Sequence, residues 1–409
     1  MGCLKQTTVS VADCLVPLSS FAGKTKIQAR DYRPSGRFPV IDQGQERIAG
    51  WTDDECAVIA ESLPLIVFGD HTRAFKFIDF PFARGADGTQ LLKPKLSIDP
   101  LFFFYACRAI ELPARGYNRH FSILKEKEIP LPAEQEEQKA IGVVLRRVEG
   151  ALVQQSSLIE TCRELKRSAM RELFTRGLRG EPQKETEIGP VPEGWLTEPI
   201  GTHHSVGSGG TPSRGNPAFW SGGKIPWVKT AEVGYCVIRE TEEHITQAGL
   251  EGSAAKLLPA GTLLLAMYGQ GVTRGKVAIL GIEAACNQAC AAIRPTDDCI
   301  DTKYLYHFLV SRYEVIRQLA HGGQQQNLNL DIVRDLPVAY PTNKEEQREI
   351  VAILDAIDRK IDLHQQKRTV LKQLFKALLH QLMTGAIRVA DLDLSALESV
   401  KIRKAESAT

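Results

Sequence analysis

The chain is poor in the features that would send it to a membrane, out of a cell or onto a metal. No apolar run approaches the roughly 18 residues that a spanning helix needs, and the first residues carry no secretory pattern, so neither a membrane span nor export is expected. Met1-Gly2-Cys3 opens like a lipidation site, but Gln6 stands where the myristoylation pattern requires Ser or Thr. Charge of one sign is also scarce: 51 basic against 49 acidic residues leave a formal net charge of +2. Binding to a polyanion must therefore rest on local clusters, not on a global field. The nine cysteines are scattered, and the tightest pair, Cys286 and Cys290, has no second pair or neighbouring histidine at zinc spacing. His203-His204 stands alone in the sequence as well. Reduced thiols in a cytoplasmic protein with no metal site are the expectation.

Catalytic signatures are equally thin, and no catalytic residue is assigned. Gly23-Lys24-Thr25 lacks the earlier glycine of a P-loop, Leu18 standing in its place. Gly269-Gln270-Gly271 begins a dinucleotide fingerprint that Arg274 breaks. Asn216-Pro217-Ala218-Phe219 is one residue from the Asn-Pro-Pro-Phe type of motif by which amino-methyltransferases grip a flipped base. Ala218 breaks it, and no glycine-rich strand-loop for S-adenosylmethionine lies beside it. No nuclease or helicase motif is evident.

What the sequence does contain is a long repeat. With 409 residues, 43% hydrophobic and 24% charged, it has material for two or more ordinary domains. PAEQEEQKAIGVVLRRVEGAL begins at Pro132 and PTNKEEQREIVAILDAIDRKI at Pro341, an offset of 209 (341 − 132). Without gaps, Leu165 then falls on Leu374, Leu173 on Leu382 and Arg179 on Arg388. Apolar residues recur at 4-3 spacing, as Ile141, Leu145, Val148 and Leu152 in the first copy and Ile350, Leu354, Ile357 and Ile361 in the second. The second seam continues through Leu371 and Phe375. Such spacing predicts a coiled-coil contact, and polar residues in mid-seam, Gln155 and His364 among them, would fix its register. Each segment opens with proline and acidic residues and closes near glycine. At 1.5 Å per residue each would be a rod about 55–60 Å long, the two packing most simply antiparallel.

Two non-helical segments precede the rods, and GEPQKETEIGPVPEGW links the halves. Phe68-Gly69-Asp70-His71-Thr72-Arg73 is similar to the stretch Tyr268 to Arg274, each after an apolar run that reads as a buried strand. GYNRHFSILKEKEIP (116–130) matches GQQQNLNLDIVRDLP (323–337) at an offset of 207 (323 − 116). The expected organisation is a domain over 1–131, a helix within 132–180, a linker at 181–195, a second domain over 196–340, a second helix within 341–388 and a tail to 409.

This pattern resembles the specificity subunit of type I restriction-modification systems. The second half carries the likeness most clearly, in GSGGTPSRGNPAFWSGGKIPWVKTAEV (207–233), LLPAGTLLLAMYGQGVTRGKVAILGIEAACNQACAAIRP (257–295) and HGGQQQNLNLDIVRDLPV (321–338). The first half adds VIDQGQERIAGWTDDE (40–55), IVFGDHTRAFKFIDFPFARGADG (66–88) and ARGYNRHFSILKEKEIPLP (114–132). The resemblance implies an α/β (α+β) fold of two target-recognition domains separated by two long antiparallel coiled-coil helices. It implies a non-catalytic reader of a bipartite DNA target, with the helices as a ruler and as the docking surface for two modification subunits. Adenine methylation, with its S-adenosylmethionine, and restriction would belong to partner chains, leaving no cofactor on this one. Two other readings stay open, a self-contained DNA methyltransferase and a coiled-coil scaffold that does not read DNA.

Base edges are read by paired hydrogen bonds, from Gln or Asn to adenine and from Arg or Lys to guanine, while phosphates take Lys, Arg, Ser, Thr and free backbone amides. Gln324, Gln325, Gln326 and Asn327 concentrate amides beside glycines, and Tyr117, Asn118, Arg119 and His120 are their counterparts. Thr72, Arg73 and Lys76, with Tyr268, Thr273, Arg274 and Lys276, stand on loops after strands. Ser208, Thr211, Ser213 and Arg214 surround glycines that could cradle a phosphate, and Lys229 lies nearby in sequence. Asp87-Gly88 and Asn287-Gln288 are further candidates to line a groove, or else form turns; Trp220 and Trp227 read better as core than as stacking platforms.

Overall fold

The computed structural model describes residues 6–17, 25–60, 63–86, 88–113, 119–269, 272–319 and 327–394. The chain forms two compact units, residues 1–158 with 364–409 and residues 159–363. The division cuts through both rods, so each unit owns one globular part and a stretch of each long helix.

In the first unit, Leu65–Gly69 is the middle strand of a three-stranded antiparallel sheet, flanked by Phe75–Ile78 and Thr89–Leu92. Its side chains alternate between two cores, as a pleated strand requires. Ile66 and Phe68 join the aromatic helix Pro100–Ala109, whereas Leu65 and Val67 pack with Ile41, Ile59 and Phe82. A second sheet runs in the order Gly50–Thr52, Phe38–Ile41, Phe82–Arg84, Val58–Ile59, and Gln6–Ser10 pairs with Glu128–Pro132.

The second unit repeats the plan. Leu263–Ala266 lies between Val277–Leu280 and Cys290–Pro295, with Leu263 and Leu265 in one core and Leu264 and Ala266 in another. Ile225–Val228 takes an antiparallel neighbour, Glu243–Ile245, and a parallel one, Ala285–Cys286, as Phe38–Ile41 does in the first unit. Leu196–Pro199 pairs with Pro337–Tyr340. The hydrogen bonds correct the residue matching suggested by sequence. Gly69 N donates to Ala74 O at 2.8 Å, and it is Ala266 N, donating to Lys276 O at 2.9 Å, that repeats this closure. The hairpin loop therefore spans 70–73 in the first unit and 267–275 in the second, and Gly69 does not correspond to Gly269.

The rods are the helices Gln135–Arg176 and Lys344–Met383, of 42 and 40 residues. Both end at a left-handed glycine, Gly177 at φ +64° and Gly385 at φ +68°, a conformation that lets the chain leave the helix without a Cβ clash. Within the first unit, Ile141, Leu145 and Val148 share a core with Leu378 and Leu382; within the second, Leu173 and Phe174 share one with Ile350 and Leu354. The front of each rod meets the back of the other, which makes the pair antiparallel. Ile361 is buried, and Leu152, Ile357, Leu371 and Phe375 are half-buried along the seam. Gln155 and His364, exactly one repeat apart in sequence, face one another at 2.7 Å between Oε1 and Nδ1.

Two buried glutamines tie each rod to its globular part in the same way. Gln138 accepts from Asp99 N at 2.9 Å and donates to Pro132 O at 2.9 Å. Gln347, 209 residues later, accepts from Asp301 N at 2.8 Å and donates to Pro341 O at 2.8 Å. Asp99 and Asp301 in turn cap the helices Pro100–Ala109 and Thr302–Ser311. These paired bonds explain why EEQ recurs at both rod entrances.

Candidate nucleic-acid interface

The loop after Leu65–Gly69 is built around a close approach. A Cβ on Gly69 would lie 2.2 Å from Thr72 Oγ1 and 2.5 Å from Gln43 O, so no side chain fits there. Thr72 donates its hydroxyl to Gln43 O, and Arg73 takes φ +60°, an uncommon conformation outside glycine. Arg73 is exposed and its guanidinium donates to Leu112 O at 2.9 Å. Gln43, not singled out from sequence, accepts from His71 N at 3.4 Å and reaches towards Gly88. A polar residue after a buried strand in the 40–55 segment was the available signal.

Two candidates point inward. Lys76 is 7% exposed; its ammonium donates to Asp42 O at 2.8 Å and lies 3.5 Å from the Asp42 carboxylate. Burial lowers its pKa, against the opposing pull of Asp42. His120 is fully buried, its amide and that of Phe121 each donating to Asp70 Oδ1 at 2.7 Å to start the helix Phe121–Glu126. Neither is presented to a duplex in this structure. Arg119 is exposed. Asp87, Tyr117, Asn118, Gln324, Gln325 and Gln326 lie outside the described residues.

In the second unit, backbone bonds gather five segments at the ends of strands from two sheets. Gly210 N donates to Cys286 O at 2.9 Å, Asn287 N to Val228 O at 3.1 Å, Met267 N to Ala289 O at 2.8 Å, and Leu328 N to Met267 O at 3.2 Å. The structure thereby assembles the neighbourhoods of Thr211, Lys229, Tyr268 and the exposed Asn327, which are far apart in sequence. Gly209 and Gly210 are not the open cradle expected. A Cβ on Gly209 would lie 2.0 Å from Cys286 O, and the Gly210 amide is already used, so these glycines serve close packing. Ser208 ends the strand His204–Ser208, opposite Ala291.

Around these segments the polar groups hold one another. Thr211 donates to Gln288 Oε1, and Asn287 Nδ2 donates to Thr230 Oγ1 at 2.8 Å. The Arg214 guanidinium stands 3.8 Å over the Trp220 ring and 2.6 Å from Glu243, with Trp220 Nε1 donating to Ser213 O at 3.1 Å. Lys229 pairs with Glu242 at 2.5 Å and with Glu243 at 3.5 Å. The Glu242 hydrogen bond raises the Lys229 pKa, and Arg214 and Lys229 outweigh burial to hold Glu243 below the usual carboxylate range. Trp227 is core, its Nε1 donating to Gly210 O at 2.9 Å. Tyr268 is exposed, Thr273 O accepts from Lys276 N, and the Lys276 ammonium lies 5.7 Å from the Tyr235 ring. Arg274 is half-buried with its Nε sequestered. Asn216 uses its side chain to accept from Ala218 N at 3.1 Å, capping its own turn rather than reaching outward.

The arrangement offers reversible hydrogen bonding and ion pairing on loops set by rigid strands. Comparisons with known proteins point the same way. Residues 192–373 match the family model described as the type I restriction modification DNA specificity domain. A type I restriction enzyme specificity subunit of Escherichia coli is 25% identical over 357 residues, covering 82% of this chain and 83% of that protein. One from Methanocaldococcus jannaschii is 28% identical over 208 residues, covering 49% of this chain and 47% of that protein. A crystal structure of a type I restriction-modification system S subunit from M. genitalium superposes with a TM-score of 0.65 at 18% identity, covering 93% of this chain and 96% of that one.

Proposed function

We propose, on the chain's similarity to specificity subunits of type I restriction-modification systems, that it belongs to that family and that its two units each read one half of a split DNA target. The carrying observation is that each unit brings amide, hydroxyl and cationic side chains onto loops that follow its strands, on a strand plan that occurs twice in the chain. In the first unit Arg73 and Arg119 are exposed cations among the described residues of these loops; in the second, Arg214, Lys229, Gln288 and Asn327 present polar groups. Glu242 and Glu243 neutralise Lys229 and Arg214 in the free protein, so a phosphate would have to displace a carboxylate to reach either cation. The chain itself performs no chemistry in this reading. Methylation of adenine, using S-adenosylmethionine, and cleavage belong to modification and restriction subunits. Leu165 and Leu374, one repeat apart and both exposed on the rods, offer each of two modification subunits an equivalent apolar contact.

The test is adenine-methylation mapping in cells with and without the chain, joined to footprinting of the purified chain with its modification partner. A bipartite motif that appears only with the chain is expected, with affinity falling as a power of salt concentration. Arg73→Ala should weaken binding in the first half-site, by about 1–3 kcal/mol if it reads a base. Lys76→Met should leave the salt slope unchanged. No chain-dependent motif and no selective footprint would refute the assignment.

A further inference from the structure

His203 ends the short turn Ile200–His203, and its ring is caught between two carboxylates of the same unit. Nδ1 lies 2.7 Å from Asp297 Oδ2, and Nε2 lies 2.8 Å from Glu198 Oε2. The Glu198 carboxylate also accepts from the Tyr340 hydroxyl. Asp297 bends the following chain back by accepting from Cys299 N at 2.8 Å, and this turn brings the thiol into the group. Ligating atoms of His203, Asp297 and Cys299 all lie within 4.8 Å of one another. The fold does not require this cluster. The equivalent turn of the other unit, Val11–Cys14, ends at a buried cysteine, and Lys95 N donates to Cys14 O at 2.9 Å where Thr296 N donates to His203 O at 2.9 Å. Asp297 and Cys299 have no acidic or thiol counterpart there, Leu96 and Ser97 standing in that stretch.

We propose that His203, Asp297 and Cys299 bind a divalent cation of borderline softness, of the zinc class, with Glu198 and Tyr340 holding the imidazole in place. One imidazole nitrogen, one thiolate and one carboxylate form a donor set suited to such an ion, and three protein ligands leave a fourth position for water. Ligating histidines usually donate the remote ring N–H to a carboxylate, which fixes the tautomer. Glu198 stands where that partner is needed, directing the Nδ1 lone pair towards Asp297 and Cys299. A proton competes for the same Nδ1, and binding releases it together with the thiol proton of Cys299. The cation would fasten the 297–299 loop to the His203 turn beside the second rod, where Cys299 O accepts from Gln347 Nε2 at 2.8 Å. This site is independent of DNA reading.

The experiment uses the full chain, stripped with chelator, kept reduced and titrated with Co2+ as the probe. One Co2+ per chain is expected, with tetrahedral visible bands and a sulfur-to-cobalt charge-transfer band, displaced by Zn2+ and accompanied by a rise in Tm. Cys299→Ser should abolish the charge-transfer band, and Asp297→Asn should weaken binding with the fold intact by circular dichroism. Glu198→Gln should lower affinity roughly 10–100-fold. Cys236→Ser, at an exposed thiol outside the cluster, should change none of this. Absence of the charge-transfer band in the parent chain, its survival in Cys299→Ser, or its loss in Cys236→Ser would overturn the proposal.

Discussion

A single buried side chain can hold several backbone groups, and Gln138 and Gln347 do this at matching places. Each is at most 1% exposed, and each satisfies one backbone donor and at least one backbone acceptor. Replacing either by Leu strands those groups, at about 1–3 kcal/mol for each group left unpaired. Urea unfolding should therefore show a loss of about 2–4 kcal/mol in Gln138→Leu and in Gln347→Leu, and a loss below 1 kcal/mol would mean that water replaces the amide. Asp355 gives a pH dependence at the same scale. His307 Nε2 at 2.9 Å and Lys303 Nζ at 2.7 Å pull its carboxyl down to about 2, against burial. Because the folded value lies below the unfolded one, near 4, the stabilisation is full above pH 4 and disappears as pH falls towards 2. Its size is about 1–2 kcal/mol after solvent screening. Unfolding of Asp355→Asn against the parent chain should show a gap at pH 7 that closes by pH 2; a gap that widens in acid would exclude this assignment.

At the scale of elements, periodic features were the legible ones. The 4-3 apolar spacing located both rods, because a seam repeats its signal over ten turns and one exception does not erase it. The alternating cores of Leu65–Val67 and Leu263–Leu265 were readable as buried runs for the same reason. Lys76 was misjudged because a cation near a glycine loop reads as surface. Strand parity puts it on the face of Ile78, with both side chains buried in Phe75–Ile78. The loop matching failed because sequence similarity aligned the glycine that ends the first strand with one inside a longer turn, and only ladder hydrogen bonds fix their closure. The His203 cluster escaped because its ligands are separated by 94 residues and converge only through the pairing of Leu196–Pro199 with Pro337–Tyr340 and of His204–Ser208 with Cys290–Pro295. The seam itself makes a prediction through Lys166, whose side chain is 12% exposed and whose ammonium lies 2.6 Å from Asp358 of the other rod. Asp358→Leu alone leaves that ammonium nearly buried without a partner and should cost about 3 kcal/mol. Adding Lys166→Met should recover most of the loss, giving a coupling of at least about 1 kcal/mol in a double-mutant cycle. Additive losses would show that the two charges act separately.

At the scale of the whole molecule, the proposed reading makes the rods a ruler, and a ruler can be lengthened. Seven residues inserted after Gln155 and seven before His364 preserve the seam, because a heptad returns the apolar stripe to the same face. At 1.5 Å per residue the added length is about 10 Å, which corresponds to about three base pairs at 3.4 Å each. The unread spacer should grow by about three base pairs while both half-sequences stay as they were. The same three pairs turn one half-site by roughly 100° about the duplex axis, given 10–10.5 pairs per turn. Affinity should therefore fall even as the preferred spacing lengthens, and the deficit should be largest on stiff spacer sequences that resist twisting. Methylation mapping of the extended chain reads both quantities at once, as motif spacing and as occupancy. An unchanged spacer with intact half-sequences would show that something other than the rods sets the distance. Altered half-sequences would show that the insertion reached the reading loops.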